Sequence, residues 1–505
     1  MKYLGDLRIY LTIIICLFIL HALHFNFVCD DAFISFRYAQ NLNEGFGLVW
    51  NINEKPVEGY TNFLWLILMG LFMKIGFEPI ITSKVLGVFF GSCTIILSYL
   101  FAEKILQRKS PLNLLAPAIL AFCGPFAAWS TGGLETQMFT FFIIAASIMY
   151  LYEIQNDVSI PTSAILFAFA SFTRPEGVLI FCITALHHFI FTLRKNKRFV
   201  SKTFFWLITF IIIYGIYSFW RYSYFGYIFP NTYYAKTGGG VDQIVRGLKY
   251  FGSFIGFSNW PVIIGIGFLF FFNPPRFSML YLIMIIFTYT SYIICIGGDF
   301  LGMFRFVVPI LPLMAITVQE SFISLIQWIM RSVSNDFLKK SAIVFCSLSL
   351  FFLIAKSSRL SFDSDEYNRI QFHQVVVNDQ TAVGKWLYQH ASPNESFAAI
   401  AIGAISYYSK LTSIDRLGIT DSNIAHTKME YMGKGLAGHE KRNLGYILAR
   451  KPTYFFGPLK VPLHTPYVPS AKEIRIFKQL YKRHKMGLNL KLKTAEIVYK
   501  LRESS

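Results

Sequence analysis

The stretch "IYLTIIICLFILHALHFNFVCDDAFISFR", Ile9 to Arg37, decides the fold. Its first part, Ile9 to Val28, carries no charge and has the roughly 20 residues that an apolar helix needs to cross the hydrocarbon of a bilayer. The window is too long for the apolar region of a signal peptide and lacks a small-residue cleavage site, so it reads as a retained first helix. It stops on two adjacent carboxylates, Asp30 and Asp31. At the edge of a membrane an ionisable group is costly unless it is solvated, paired or functional.

The rest of the chain repeats the apolar theme. Of 505 residues, 54% are hydrophobic, 18% aromatic and 15% charged, which is too apolar for a soluble globular domain and implies a polytopic α-helical membrane protein. Further helices are expected near 62–77, 82–106, 112–130, 134–152, 161–173, 177–193, 203–224, 257–272, 277–297, 306–330 and 338–355. The net charge of +19 would suggest nucleic acid in a soluble chain. Here the Lys and Arg sit in short loops and a basic tail, the pattern of membrane orientation and contact with anionic head groups. The expected partner is the bilayer, and no nucleic acid. Six of the seven cysteines lie in apolar segments and Cys29 ends the first helix, so neither a disulfide framework nor a cysteine metal site is implied.

Parity sets the topology. If Lys2 and Arg8 are cytoplasmic and every window crosses, the basic loop Arg194 to Lys202 falls outside, against the positive-inside rule. Making 62–77 a juxtamembrane helix along the outer interface repairs this, and puts Lys104, Arg108, Lys109, Arg276, Arg331, Lys339 and Lys340 inside. About eleven spanning helices remain. The same choice places five polar turns on one side: "CDDAFISFR", "STGGLETQ", "FTRPEG", "IFPNTYYAKTGGG" and "GGDFLGMFRF". From about Asp363 the composition shifts to short alternating segments between turns, predicting an α/β extracytoplasmic domain of roughly 130 residues. The chain thus divides into a membrane domain, 1–355, and an outer domain, 356–505.

The five turns supply the candidate chemistry, each with a plainer reading beside it. Asp30 and Asp31, followed by Arg37, are candidate acid/base groups, or else caps of the helix that begins there. Arg174 and Glu176 flank Pro175, as a site or as a self-paired surface turn. Asn231, Tyr233, Tyr234 and Lys236 precede three glycines, as a lid or as an aromatic interface belt. Asp299 and Arg305 lie in the last turn. Arg174, Lys236 and Arg305 together could hold a phosphate. Glu58, Glu135 and Asp299 are further polar candidates in or beside these turns. Tyr407, Tyr408, Asp415 and Asp421 are candidate ligand contacts of the outer domain, against a structural lid. No HExxH, CxxC or GxSxG motif supports a metalloprotease or serine hydrolase, and Gly238 to Gly240 lack the Lys-Ser/Thr of a P-loop.

The ordered set "DDAFISFRYAQNL", "GFGLVWN", "VEGYTNFLW", "GGLET", "RPEG", "PNTYYAK", "GGDFLGMFRFVVPILP", "GAISYYSKLTSIDRLGITD" and "GHEKRN" resembles the GT-C membrane glycosyltransferases, and more narrowly the AftB-type terminal β-arabinofuranosyltransferases and their bacterial relatives. The resemblance covers nearly the whole chain. It implies a GT-C fold, a polyprenyl-phosphate-linked sugar donor (arabinofuranose in the AftB type), an envelope glycan or glycolipid acceptor, and action on the outer face of the bacterial cytoplasmic membrane. By analogy Asp30 would be the general base and Asp31 its positioning or acceptor-binding partner. A divalent cation between the two acids is compatible with the pair, though no further ligand cluster supports one. Two other readings stay open: a ligase or polymerase using polyprenyl-diphosphate donors, and a lipid-sugar flippase, for which the absence of internal repeats speaks unfavourably.

Overall fold

The computed structural model describes residues 2–192, 197–256, 277–459, 467–493 and 495–502. The membrane domain is helical: α1 Lys2–Phe25, α2 Asp30–Asn43, α3 Phe63–Lys74, α4 Pro79–Leu100, α5 Leu115–Ala121, α6 Gly124–Ala128, α7 Thr136–Gln155, α8 Thr162–Thr173, α9 Glu176–Thr192, α10 Lys197–Phe225, α11 Asn231–Lys236, α12 Gly240–Phe254, α13 Phe277–Cys295, α14 Leu311–Ser332 and α15 Asp336–Arg359. Among the described residues seven helical segments are long and apolar enough to cross a membrane, which makes the chain a multi-pass membrane protein. Three expected crossings appear as shorter helices, Pro111–Ala121, Thr162–Thr173 and Glu176–Thr192. The expected helix 257–272, Arg276 and the start of the basic loop at Arg194 lie outside the described residues.

Local chemistry explains how the first acids are aimed. Asn26 adopts a left-handed φ of 34°, a conformation that asparagine tolerates better than most residues and that stops α1. Cys29 is extended, and α2 then starts in a new direction with both acids in its first turn, where carboxylates oppose the positive end of the helix dipole. The segment expected at 62–77 is α3, whose 12 residues rise only about 18 Å. It packs on α2, with Asn43 donating to the Gly70 carbonyl at 2.8 Å, and Trp65 donates to the Gly133 carbonyl at 3.2 Å.

The outer domain opens with the long helix α16, Asp365–His390, capped by Ser364, and continues with α17 Gly403–Ser409, α18 Ser422–Ala425, α19 Leu444–Arg450 and α20 Ala471–Leu480. Its sheet comprises β1 Ser396–Ala399, β2 Thr412–Asp415, β3 Tyr454–Phe456, β4 Tyr481–His484 and β5 Val498–Leu501, in the order β2-β1-β3-β5-β4. β1 runs parallel to β2 and β3, in register from Ser396↔Thr412 to Ala399↔Asp415, and β5 is antiparallel to β3 and β4.

The alternation of strand side chains divides the core. Phe397, Ala399, Tyr454 and Phe456 join the apolar core that continues into the membrane helices. Ala398, Ile414 and Phe455 form a second core on the far side, with Leu444, Leu448 and Phe477. The outer domain is therefore seated on the bundle. The loops that leave the carboxyl ends of β1 and β2, the ends where α/β sheets commonly bind ligands, meet α2 and α11.

Candidate active site

A cavity of about 380 Å³ opens at one end of the bundle, and all five polar turns reach it. Asp31, Ile34 and Ser35 come from α2, Leu134 and Glu135 from the turn before α7, and Arg174 to Glu176 from the α8–α9 turn. Tyr233 and Lys236 come from α11, and Asp299 and Arg305 from the loop between α13 and α14. Ile419, Ala437 and Gly438 of the outer domain close it.

One wall is a closed ionic network. Arg174 Nη1 meets Glu135 Oε1 at 2.7 Å, and its Nη2 and Nε meet the two Glu176 oxygens at 2.7 and 3.2 Å. Asn62 donates to the other Glu135 oxygen at 2.8 Å, and the Tyr292 hydroxyl donates to Glu176 Oε1 at 2.8 Å. The Arg174 guanidinium lies over the Phe306 ring at 5.2 Å. The arginine is buried with each of its three nitrogens facing a carboxylate, the condition under which a buried charge is tolerated. The flanking carboxylates hold its pKa above the ordinary value against the opposing effect of burial. Arg174, read from the sequence as a phosphate ligand, lines the cavity with three of its five N–H groups committed to carboxylates, which leaves one N–H on each terminal nitrogen for a ligand. Half of its plainer reading holds, since Arg174 does pair with Glu176, but the pair is buried and Glu135 completes it.

The other groups are differently placed. Arg305 Nε lies 2.7 Å from Asp299 Oδ2, while neither terminal guanidinium nitrogen has a hydrogen-bond partner among the described residues. The guanidinium sits over Phe306 and Trp129 at 5.0 and 5.5 Å. Just before it, Met303 and Phe304 take left-handed φ values of 57° and 45°, a strained arrangement for two consecutive non-glycine residues. It is held by Trp129, which donates to the Gly302 and Met303 carbonyls at 3.1 Å, and by Glu366, which accepts from the Met303 amide at 2.7 Å. Lys236 lays its stem on Gly438, where a Cβ would fall 3.1 Å from Lys236 Cε. Its ammonium has no ion pair among the described residues.

The acidic pair separates. The Asp30 carboxylate accepts the Gly403 and Ala404 amides at 2.9 and 2.8 Å, so it caps α17 of the outer domain and does not line the cavity. Burial pushes its pKa up to about 6, against the pull of the two amides. Asp31 lines the cavity and has no hydrogen-bond or ion-pair partner among the described residues. His439 stands close enough to feel its charge, packed edge-on to Phe300 at 4.2 Å, and burial lowers that imidazole to about 4. The residues fit no divalent ion between the acids, because Asp30 points to the outer domain. Among the described residues no group of three His, Cys, Asp or Glu side chains converges to hold a metal.

Four further sequence candidates stand outside the cavity lining. Arg37 is a buried strut, donating to the carbonyls of Trp50, Ser406 and Leu411 at 2.9, 2.5 and 2.9 Å. Glu58 pairs with Arg221 at 2.6 Å, and burial still lifts it to about 7. Asn231 donates to the Gly418 and Ile419 carbonyls, both at 2.8 Å, tying α11 to the outer domain. Tyr234 stacks on His426 at 4.2 Å, and its neighbour Tyr233 faces the cavity instead. Asp415 and Asp421 receive amides of their own loops. Asn62, Tyr292 and Gly438 were not singled out in the sequence. Asn62 follows the Glu58 candidate in "VEGYTN" and Gly438 opens "GHEKRN", the only local signals that point to them.

With this geometry in view, known proteins can be compared. Residues 366–490 match a domain of unknown function, DUF8728. Among curated proteins there is no match. The apo structure of ArnT from Cupriavidus metallidurans is similar over 99% of this chain and 98% of that one, at 8% identity and a TM-score of 0.56. ArnT bound to undecaprenyl phosphate matches over 81% and 86%, at 9% identity and a TM-score of 0.50. AglB from Archaeoglobus fulgidus, an archaeal oligosaccharyltransferase in complex with an inhibitory peptide and a dolichol-phosphate, matches over 81% of this chain and 64% of that one, at 9% identity and a TM-score of 0.51. The chain has the GT-C fold. At these identities the GT-C likeness is one of architecture, and the roles of individual residues rest on the cavity itself.

Proposed function

We propose that this protein is a membrane glycosyltransferase that moves a sugar from a polyprenyl-phosphate donor to a hydroxyl of an envelope glycan or glycolipid, with inversion. The observation that carries the reading is the distribution of partners in the cavity. One carboxylate, Asp31, is uncommitted, and two cationic groups, Lys236 and the outer end of Arg305, are uncommitted with it. That set matches a reaction that needs one base and a clamp for one departing phosphate.

In this mechanism the acceptor oxygen forms its bond to the anomeric carbon as the bond from that carbon to the phosphate oxygen breaks. The electron pair leaves with the lipid phosphate, where Lys236 and Arg305 stabilise the developing charge. The acceptor proton goes to Asp31, not to Asp30 as the motif analogy implied. Sugar hydroxyls would meet the Ser35 and Thr61 hydroxyls and the Tyr233 phenol, which line the cavity. The motif order makes arabinofuranose the first sugar to test. Site and outer domain would face the periplasmic side of the bacterial cytoplasmic membrane.

The test is transfer by the purified protein from labelled polyprenyl-phosphate sugars to an envelope acceptor. Product from the monophosphate donor that is lost in Asp31→Asn supports the reading. Full activity of Asp31→Asn overturns the base assignment, and turnover restricted to diphosphate donors overturns the donor class.

A further inference from the structure

Helix α12, Gly240–Phe254, is two-faced. One side is pinned across the end of the membrane span α13. Gln243 donates to the Cys295 carbonyl at 3.0 Å and Arg246 to the Gly297 carbonyl at 3.1 Å. At Gly247 a Cβ would fall 2.1 Å from the Ile294 carbonyl oxygen, so only glycine permits the approach. Arg246 also pairs with Glu440 of the outer domain at 2.9 Å. The opposite side presents Val241, Ile244, Val245 and Leu248, spaced i, i+3, i+4 and i+7, at 39 to 75% exposure.

A row of aliphatic side chains on a helix surface marks a contact that is not otherwise present. What covers it follows from its depth. The contacts at 294, 295 and 297 fix α12 at the level where a span ends. Two spans of the bundle, α13 through Phe287 and α10 through Ile216 and Phe219, likewise present strongly exposed apolar side chains. An amphipathic helix at that level, with Lys249 exposed beside Leu248, suits the boundary between acyl chains and head groups.

We propose that α12 is an interfacial helix seated in the leaflet at the cavity's end of the bundle, its aliphatic row in the acyl boundary. Lys236 ends α11 only a few residues before α12 begins. Seating α12 therefore holds Lys236 at head-group depth, where the phosphate of a lipid diffusing in the membrane plane reaches it. This second half rests on the transferase reading; the seating of the helix does not.

The experiment places a photo-crosslinking residue at the row, Val245→benzoylphenylalanine, in nanodiscs, with Phe219→benzoylphenylalanine as the bilayer-facing reference. Lipid adducts at both positions are expected. Adducts at 219 with only protein crosslinks, or none, at 245 would overturn the seating and would point to a partner protein or another part of this chain. The functional arm is the double variant Val245→Asp with Leu248→Asp. It should raise the KM for a long-chain donor in vesicles by on the order of 10-fold and leave the rate with a short-chain soluble donor unchanged. Equal losses with both donors would overturn the coupling to Lys236. Lipid adducts at 245 together with no transfer from any polyprenyl-phosphate donor would sink the transferase reading and leave the seating intact.

Discussion

The two walls of the cavity use the same residue types for opposite ends. On one wall Arg174, Glu135 and Glu176 pair with each other, and Asn62 and Tyr292 supply further hydrogen bonds. Facing it, Asp31 and Lys236 stand without partners among the described residues, and Arg305 is half engaged by Asp299. A charged group held between opposite charges organises structure; one that waits for a partner binds or reacts. Charge alone therefore does not mark the chemistry in this site.

That contrast can be broken by mutation. The largest effect is expected from Asp31→Asn, a loss of roughly 10²- to 10⁴-fold in kcat with the melting temperature held. A larger loss for Asp30→Asn than for Asp31→Asn would reverse the two acids. Arg174→Met should act on the fold, because it strands two buried carboxylates, at about 3–5 kcal/mol, read by denaturant titration in detergent. An unchanged midpoint would mean that this wall is open to water and is no closed network. Lys236→Met should weaken donor binding by roughly 10- to 100-fold, the value of a charge-assisted hydrogen bond, with kcat less affected and the difference shrinking in high salt. Loss of kcat at unchanged KM would remove Lys236 from the phosphate clamp.

The smallest effect is expected from Asp30, and it depends on pH. Its folded pKa is raised to about 6, above the unfolded carboxylate near 4. Between those values the folded state binds more protons than the unfolded one, so the contribution of Asp30 to stability is greatest below about pH 4 and declines as pH rises toward 6. Asp30→Asn should flatten the dependence of melting temperature on pH across that window and change it little elsewhere. An identical slope in the wild type and the variant would show that the Asp30 carboxylate is solvated.

Much of the architecture was legible because it follows from period and parity. Apolar length marked the long spans, and loop charge predicted that five separated turns share one side, where the cavity now gathers them. The sequence could not say which way each polar side chain points. Adjacent residues on a helix diverge by about 100°, so Asp30 and Asp31 necessarily address different surroundings, and only the position of the outer domain decides which faces the cavity. Arg37 was unreadable for a related reason, since its partners Ser406 and Leu411 lie more than 360 residues away. The i, i+3, i+4, i+7 row of α12 is present in the sequence, but at 15 residues with charged groups on its other face the helix forms no long apolar window.

The contact between α2 and α17 bears on how such a protein can be divided. At Gly403 a Cβ would fall 2.0 Å from the Asp30 carbonyl oxygen, and the Asp30 side chain caps the same turn from the other direction. The start of α2 and the loop after β1 are thus keyed to each other without room for a single methyl group. A chimera cut near residue 356, where the change of composition suggests a division, would separate lock from key, and with them the alignment of Asp31. The exchangeable unit is discontinuous: any transplant of the outer domain has to bring along the segment from Asp30 to Asn62.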